Sequence, residues 1–176
     1  MFGLGKKERR DREIKEIQTW IVGQSLAVAG ALEGPAQLVA ILEAMAFFLY
    51  AVSRLSYRPD NEKLRGAVLD SSFNQMVSTY SAMLRKRAPE MNRPSLENDV
   101  AILFATREQE YGEAKSLLGE TPHDKGTAIR LAALRIGEAA DLKEPDIRIF
   151  AILTALMTSY VAMELPRRIG QVEEYL

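Results

Sequence analysis

Two long apolar stretches constrain this chain more than any other feature. Residues 19–53 hold only Glu33 and Glu43 as charged side chains, and residues 149–163 hold none. A helix that is apolar on nearly every side must be covered by other helices, by another subunit or by lipid. Glu33, Glu43 and Gly34-Pro35 interrupt the first stretch, and each uncharged run is shorter than the ~20 residues of a membrane span. The sequence therefore points to cover by protein.

The spacing of apolar residues is helical throughout. From about Arg9 to Leu32, Ile14, Ile17, Ile21, Ala27 and Val28 recur at turns of a first helix, and Glu33-Gly34-Pro35 ends it and begins a second. The join is short, so the two helices are expected to be antiparallel neighbours. Gly23, Ala27 and Ala31 lie four apart on the first, as do Ala36, Ala40 and Ala44 on the second, and these small ridges are expected to meet. Pro59-Asp60-Asn61 breaks the chain before a third helix, with Asp60 as its expected cap and Leu69, Phe73, Met76, Tyr80 and Met83 on its inner face.

Residues 88–94 carry two prolines and read as a linker. Ser95 is the expected N-cap of a fourth helix with Val100, Leu103, Phe104, Tyr111, Ala114 and Leu118 inward and Arg107, Glu108, Glu110, Glu113 and Lys115 in water. A fifth helix over residues 127–142 turns Ile129, Ala132, Ala133, Ile136 and Ala140 inward. Lys143-Glu144-Pro145 separates it from a sixth, with Pro145 in its first turn. Pro35 and Pro145 occupy matching places in two helix–Pro–helix units, a weak internal echo. No strand alternation or hairpin turn occurs.

The expected fold is thus all-α: a single-domain bundle of about six helices over residues 9–165, with helices two and six most buried. A basic segment, residues 1–8, precedes it. A short amphipathic segment, residues 166–176, follows with Ile169, Val172 and Leu176.

Composition removes several chemistries. There is no cysteine, which excludes disulfides, thiolate catalysis and zinc-thiolate or iron–sulfur sites. The 23 basic residues nearly cancel the 24 acidic ones, so no global field draws in nucleic acid. Glu120 and His123 have the Glu-x-x-His spacing of di-iron bundles, but Gly119 and Pro122 oppose a helix there and no second histidine exists. No metal or cofactor is expected. Ser71-Ser72 lacks the glycine-flanked elbow of a serine hydrolase, and no phosphate-binding glycine loop occurs.

What remains is a short set of candidates. Glu43 sits in the most apolar helix on the side of Ala36, Ala40, Phe47 and Tyr50, where a bare carboxylate would cost several kcal/mol. It is either a buried acid or ligand anchor, working with Tyr50, or a structural partner of an arginine or a tyrosine hydroxyl. Lys6, Lys7, Arg9, Arg10 and Arg12, next to Phe2 and Leu4, are the candidate contact for a partner or for an anionic membrane surface, with interspersed acids weakening the latter. Met76, Met83, Met157 and Met163, with Phe47, Phe48, Tyr50, Phe73 and Tyr80, are core or the lining of an apolar cavity. No signal-peptide order of basic, apolar and small residues is present, and a cytoplasmic location is expected.

The leading functional expectation is a non-catalytic helical interaction module that self-associates or serves as a subunit of a larger assembly, with protein as its partner and no nucleic acid. The alternatives are a carrier for a small apolar ligand or lipid, and a small enzyme using Glu43 and Tyr50 as an acid–base pair.

Overall fold

In the computed structural model, residues 5–119, 124–144 and 146–176 are described. Glu120, His123, Phe2, Leu4 and Pro145, all singled out above, lie outside the described residues. Among the described residues eight α-helices follow in chain order: α1 Lys6–Val28, α2 Gly34–Ser56, α3 Glu62–Arg65, α4 Ser71–Arg87, α5 Leu96–Gly112, α6 Ala128–Ala139, α7 Ile147–Ala162 and α8 Leu165–Glu174. A π-type turn, Gly66–Asp70, runs α3 into α4, so those two form one bent rod. Among the described residues there is no strand, only an isolated parallel bridge between Ser116 and Thr127. The architecture is an all-α bundle of six long helical rods closed by the shorter α8.

Helix α2 is the axis of the bundle because no face of its central part is polar enough to prefer water. Every residue from 40 to 53 is buried, and α1, α4, α5, α6 and α8 all pack around it. Its start is set by Gly34, whose φ of +58° suits a residue without Cβ, followed by Pro35 in the first turn. The connection from α1 is one tight turn, Ala29–Ala31, which brings the two helices together as neighbours.

Helix α1 turns its isoleucine stripe inward as the spacing predicts, but not its small-residue ridge. Ile14, Ile17, Ile21, Ser25 and Val28 are buried, whereas Gly23 and Ala27 are exposed, and a Cβ added at Gly23 would meet nothing within 4 Å. The small-residue ridges therefore do not meet. Burial stabilises by about 0.8 kcal/mol per CH₂, so the isoleucine face outweighs the closer approach that glycine and alanine would allow.

Caps show smaller differences of the same kind. The α3 cap is Asn61, whose side-chain oxygen accepts from the Leu64 amide at 3.3 Å, and not Asp60. Ser95 stands at the start of α5, but its hydroxyl donates to the Asp99 carboxylate at 3.0 Å and caps no backbone amide. Helix α6 ends in a Schellman turn, with Asp141 at φ +57°, its amide bonded to the Glu138 carbonyl and the Leu142 amide to the Gly137 carbonyl.

Both ends of the chain are more regular than their polar composition suggests. Helix α1 begins at Lys6, inside the segment set apart as residues 1–8. Residues 166–176 belong largely to α8, which buries Leu165, Ile169 and Val172 against α1 and α2. Arg168 fastens this helix: its guanidinium lies 5.8 Å from the Trp20 ring centre and pairs with Glu16.

Helices α6 and α7 pack closely, and a Cβ at Gly137 would come within 2.9 Å of Ile149 Cγ1. Burial of the two apolar stretches is unequal. α2 is buried on every side from residue 40 to 53, whereas α7 buries one stripe, Ile149, Ile152, Leu153, Leu156 and Ser159, half-buries Ala155, Met157 and Tyr160 beside it, and leaves the rest outward.

Candidate functional site

Three features could carry function: the buried acid on α2, the uncovered face of α7, and the cavities. The acid is built by α2, α5 and α6 together. Glu43 is 1% exposed, and both carboxylate oxygens are occupied. Arg107 Nε donates to Oε1 at 2.7 Å, and the Tyr111 hydroxyl donates to Oε2 at 2.9 Å. These two residues are one turn apart on α5, so a single helix face supplies both donors.

The chain of charge continues outward. Arg107 Nη1 donates to Glu110 at 2.9 Å, and Glu110 is also held by Arg135 of α6 at 2.8 Å. Glu43, Arg107, Glu110 and Arg135 thus alternate in sign and link three helices with no net charge. Burial opposes the charge on Arg107, but the hydrogen bond and the charge of Glu43, with Glu110 behind them, outweigh it and push its pKa up. Burial raises the Tyr111 hydroxyl well above the usual phenol range, and the Glu43 charge and hydrogen bond add to the shift. Tyr80, whose hydroxyl donates to the Leu38 carbonyl at 3.0 Å, is raised by burial and by the same carboxylate.

Tyr50 is buried beside this network, its ring 5.8 Å from that of Tyr111, and no hydrogen bond joins it to Glu43 among the described residues. Four cavities open on the bundle among the described residues with neither Glu43 nor Tyr50 in their lining. Both carboxylate oxygens are engaged by donors from α5. The arrangement fixes the register of three helices.

Sequence reasoning put Arg107 and Glu110 on the wet side of α5, and the structure turns Arg107 inward. A signal was available: Arg107 and Tyr111 at i and i+4 offer matched donors to one acid in an otherwise apolar helix. The site of Arg135, by contrast, depends on where α6 lies.

The N-terminal basic residues stand among their own acids. Arg10 pairs with Asp11 at 2.8 Å and Arg12 with Glu13 at 3.6 Å, and Lys6 and Lys7 are exposed. Arg9 is exposed as well. Of the methionines and aromatics proposed as cavity lining, Met76, Met163, Phe47 and Phe48 are core, and Tyr80 borders the largest of the cavities.

Among the described residues two helical runs are long and apolar enough to cross a membrane by length and composition alone. The most apolar 18 residues of Gly34–Ser56 are 78% buried within the bundle; those of Ile147–Glu174, which spans α7 and α8, are only 33% buried. Within the second, the outward side of α7 holds Ile147 at 82% exposure, Phe150 at 43% and Val161 at 65%. Ala151, Thr154, Thr158 and Ala162 are exposed beside them, and no charged residue lies between Arg148 and the helix end. No protein-family model, no curated protein and no solved structure matches the chain.

Proposed function

We propose that this protein is a non-catalytic helical interaction module that self-associates by pairing the outward face of α7 with the same face of a second copy. The observation that carries the reading is the uncharged, exposed side of that helix. Ile147, Phe150, Thr154 and Val161 are exposed along it, with the half-buried Met157 between the last two, and the five follow one another by three and four residues, the spacing of a coiled-coil seam.

Two further features favour a second copy as the cover. Each end of the seam is closed by a neutralised pair, Asp146 with Arg148 at 2.6 Å and Glu164 with Arg167 at 2.6 Å. Antiparallel pairing brings these ends together without repulsion, whereas an anionic bilayer would be served by net basic flanks. Thr154 is the midpoint of the seam and would sit at the two-fold axis. Its hydroxyl already donates to the Phe150 carbonyl at 2.9 Å, so covering it orphans no donor.

From Ile147 to Val161 the seam is roughly 21 Å long at 1.5 Å per residue, which places it at the small end of specific interfaces. Light scattering over a concentration series tests this. The parent chain is expected to be a dimer at tens of micromolar, and Phe150→Glu with Val161→Glu to be a monomer with unchanged helicity. A monomeric parent, or a parent that sediments with lipid vesicles in place of dimerising, would overturn the reading.

A further inference from the structure

The largest of these four cavities, about 660 Å³, lies away from the Glu43 network and from the α7 seam. It opens between the first turns of α2, the end of α4 and the first turns of α5. Leu42, Leu84, Leu96 and Val100, all buried, are apolar lining, and its volume falls within the range of small-molecule sites. The one phenol that borders it, Tyr80, has its hydroxyl proton committed to Leu38, so the interior offers little to a polar solute.

Its rim is different. Arg87 borders the cavity and donates to the Gln37 side chain on the first turn of α2 at 2.8 Å, and it has no carboxylate partner among the described residues. The other rim arginine, Arg93, is neutralised by Asp99 at 2.8 Å. Glu90 is also on the rim, exposed to solvent on the turn Pro89–Met91. The start of α2, one turn from Gln37, has no side-chain cap on its amides. Among the described residues the rim thus holds one charge of each sign without an ion-pair partner, Arg87 and Glu90, and at its α2 end the guanidinium beside a helix N-terminus, at the mouth of an apolar cavity, matches a ligand with one anionic end and a hydrocarbon body.

We propose that this cavity binds a single-chain amphiphile with an anionic headgroup, its head at Arg87 and Gln37 and its chain along Leu42, Leu84, Leu96 and Val100. This site is independent of self-association through α7. Each additional buried methylene should tighten binding about fourfold, from roughly 0.8 kcal/mol per CH₂.

Titration calorimetry with the full chain, below micelle-forming concentrations, uses decanoate, dodecanoate and dodecanol. Dodecanoate is expected to bind one to one, about 15-fold tighter than decanoate and several-fold tighter than dodecanol. Arg87→Gln, at an exposed position, should erase the preference for dodecanoate over dodecanol while retaining the chain-length dependence. Leu103→Trp, at a half-buried wall position, should fill the space and abolish binding; its helicity and melting checked alongside separate loss of the site from loss of the fold. Phe150→Glu should leave binding unchanged. No saturable binding of dodecanoate, equal binding of dodecanoate and dodecanol, or loss of binding in Phe150→Glu would each overturn the proposal.

Discussion

Replacing Arg107 by methionine removes the guanidinium from Glu43 while keeping a long apolar stem in its place. One carboxylate oxygen then loses its donor 2.7 Å away, and the other keeps only the Tyr111 hydroxyl. Glu43 is 1% exposed, so water cannot readily replace the lost partner. Breaking a buried pair from one side costs about 3–5 kcal/mol, because the remaining charge is left uncompensated. With native stability commonly 5–15 kcal/mol, the variant should fold but with much of its margin gone.

Urea unfolding followed by circular dichroism reads this directly. For a slope of about 2 kcal/mol/M, the midpoint should fall by roughly 1.5–2.5 M. Two comparisons make the reasoning specific. Adding Glu43→Gln to Arg107→Met removes the stranded charge, and the double variant should recover about 2 kcal/mol relative to Arg107→Met alone. Arg135→Met cuts the outer end of the chain, where its partner Glu110 is partly solvated, and should cost less than about 1 kcal/mol. The argument fails if Arg107→Met lies within 1 kcal/mol of the parent, or if Arg135→Met is as damaging.

Gly137→Ala places a methyl 2.9 Å from Ile149 Cγ1 between α6 and α7; overpacking of about 1–3 kcal/mol exceeds the ~1 kcal/mol gained in helix propensity, and calorimetry should show a lower Tm. Asp141→Gly relieves a left-handed residue in the Schellman turn after α6 and should raise stability by about 0.5–1 kcal/mol in the same assay. Tyr80 and Tyr111 have folded-state pKa values raised by burial and by Glu43. The stability they support is therefore complete below pH ~10 and is lost as pH rises toward those values, by about 1.4 kcal/mol per pH unit for each tyrosine. Tyr111→Phe should make alkaline unfolding shallower by that amount, and tyrosinate absorbance in the parent should appear together with the loss of helicity.

Helices, their breaks and the most deeply buried rod were legible in the sequence, because each follows from local chemistry. Gly34-Pro35 can start a helix but cannot continue one, and residues 40–53 have no polar face except Glu43, so α2 had to be central. The stripes on α4, α5 and α6 were read from spacing of 3.6, with Met76, Tyr80, Val100, Phe104, Ile129 and Ile136 all buried. The Glu43 site was half legible: a carboxylate in that setting requires a partner, and arginine or tyrosine was the natural choice. Which arginine and which tyrosine depended on α5 lying against α2, and a long guanidinium stem can turn to water or to the core with equal ease. The inward face of α1 was likewise a tertiary decision, since its isoleucine stripe and its small-residue ridge were both apolar and only packing against α2 chose between them. The open face of α7 was decided in the same way. Its sequence is apolar all round, but α6 and the bundle cover only one side, because a helix at the edge of a bundle has neighbours on one side only.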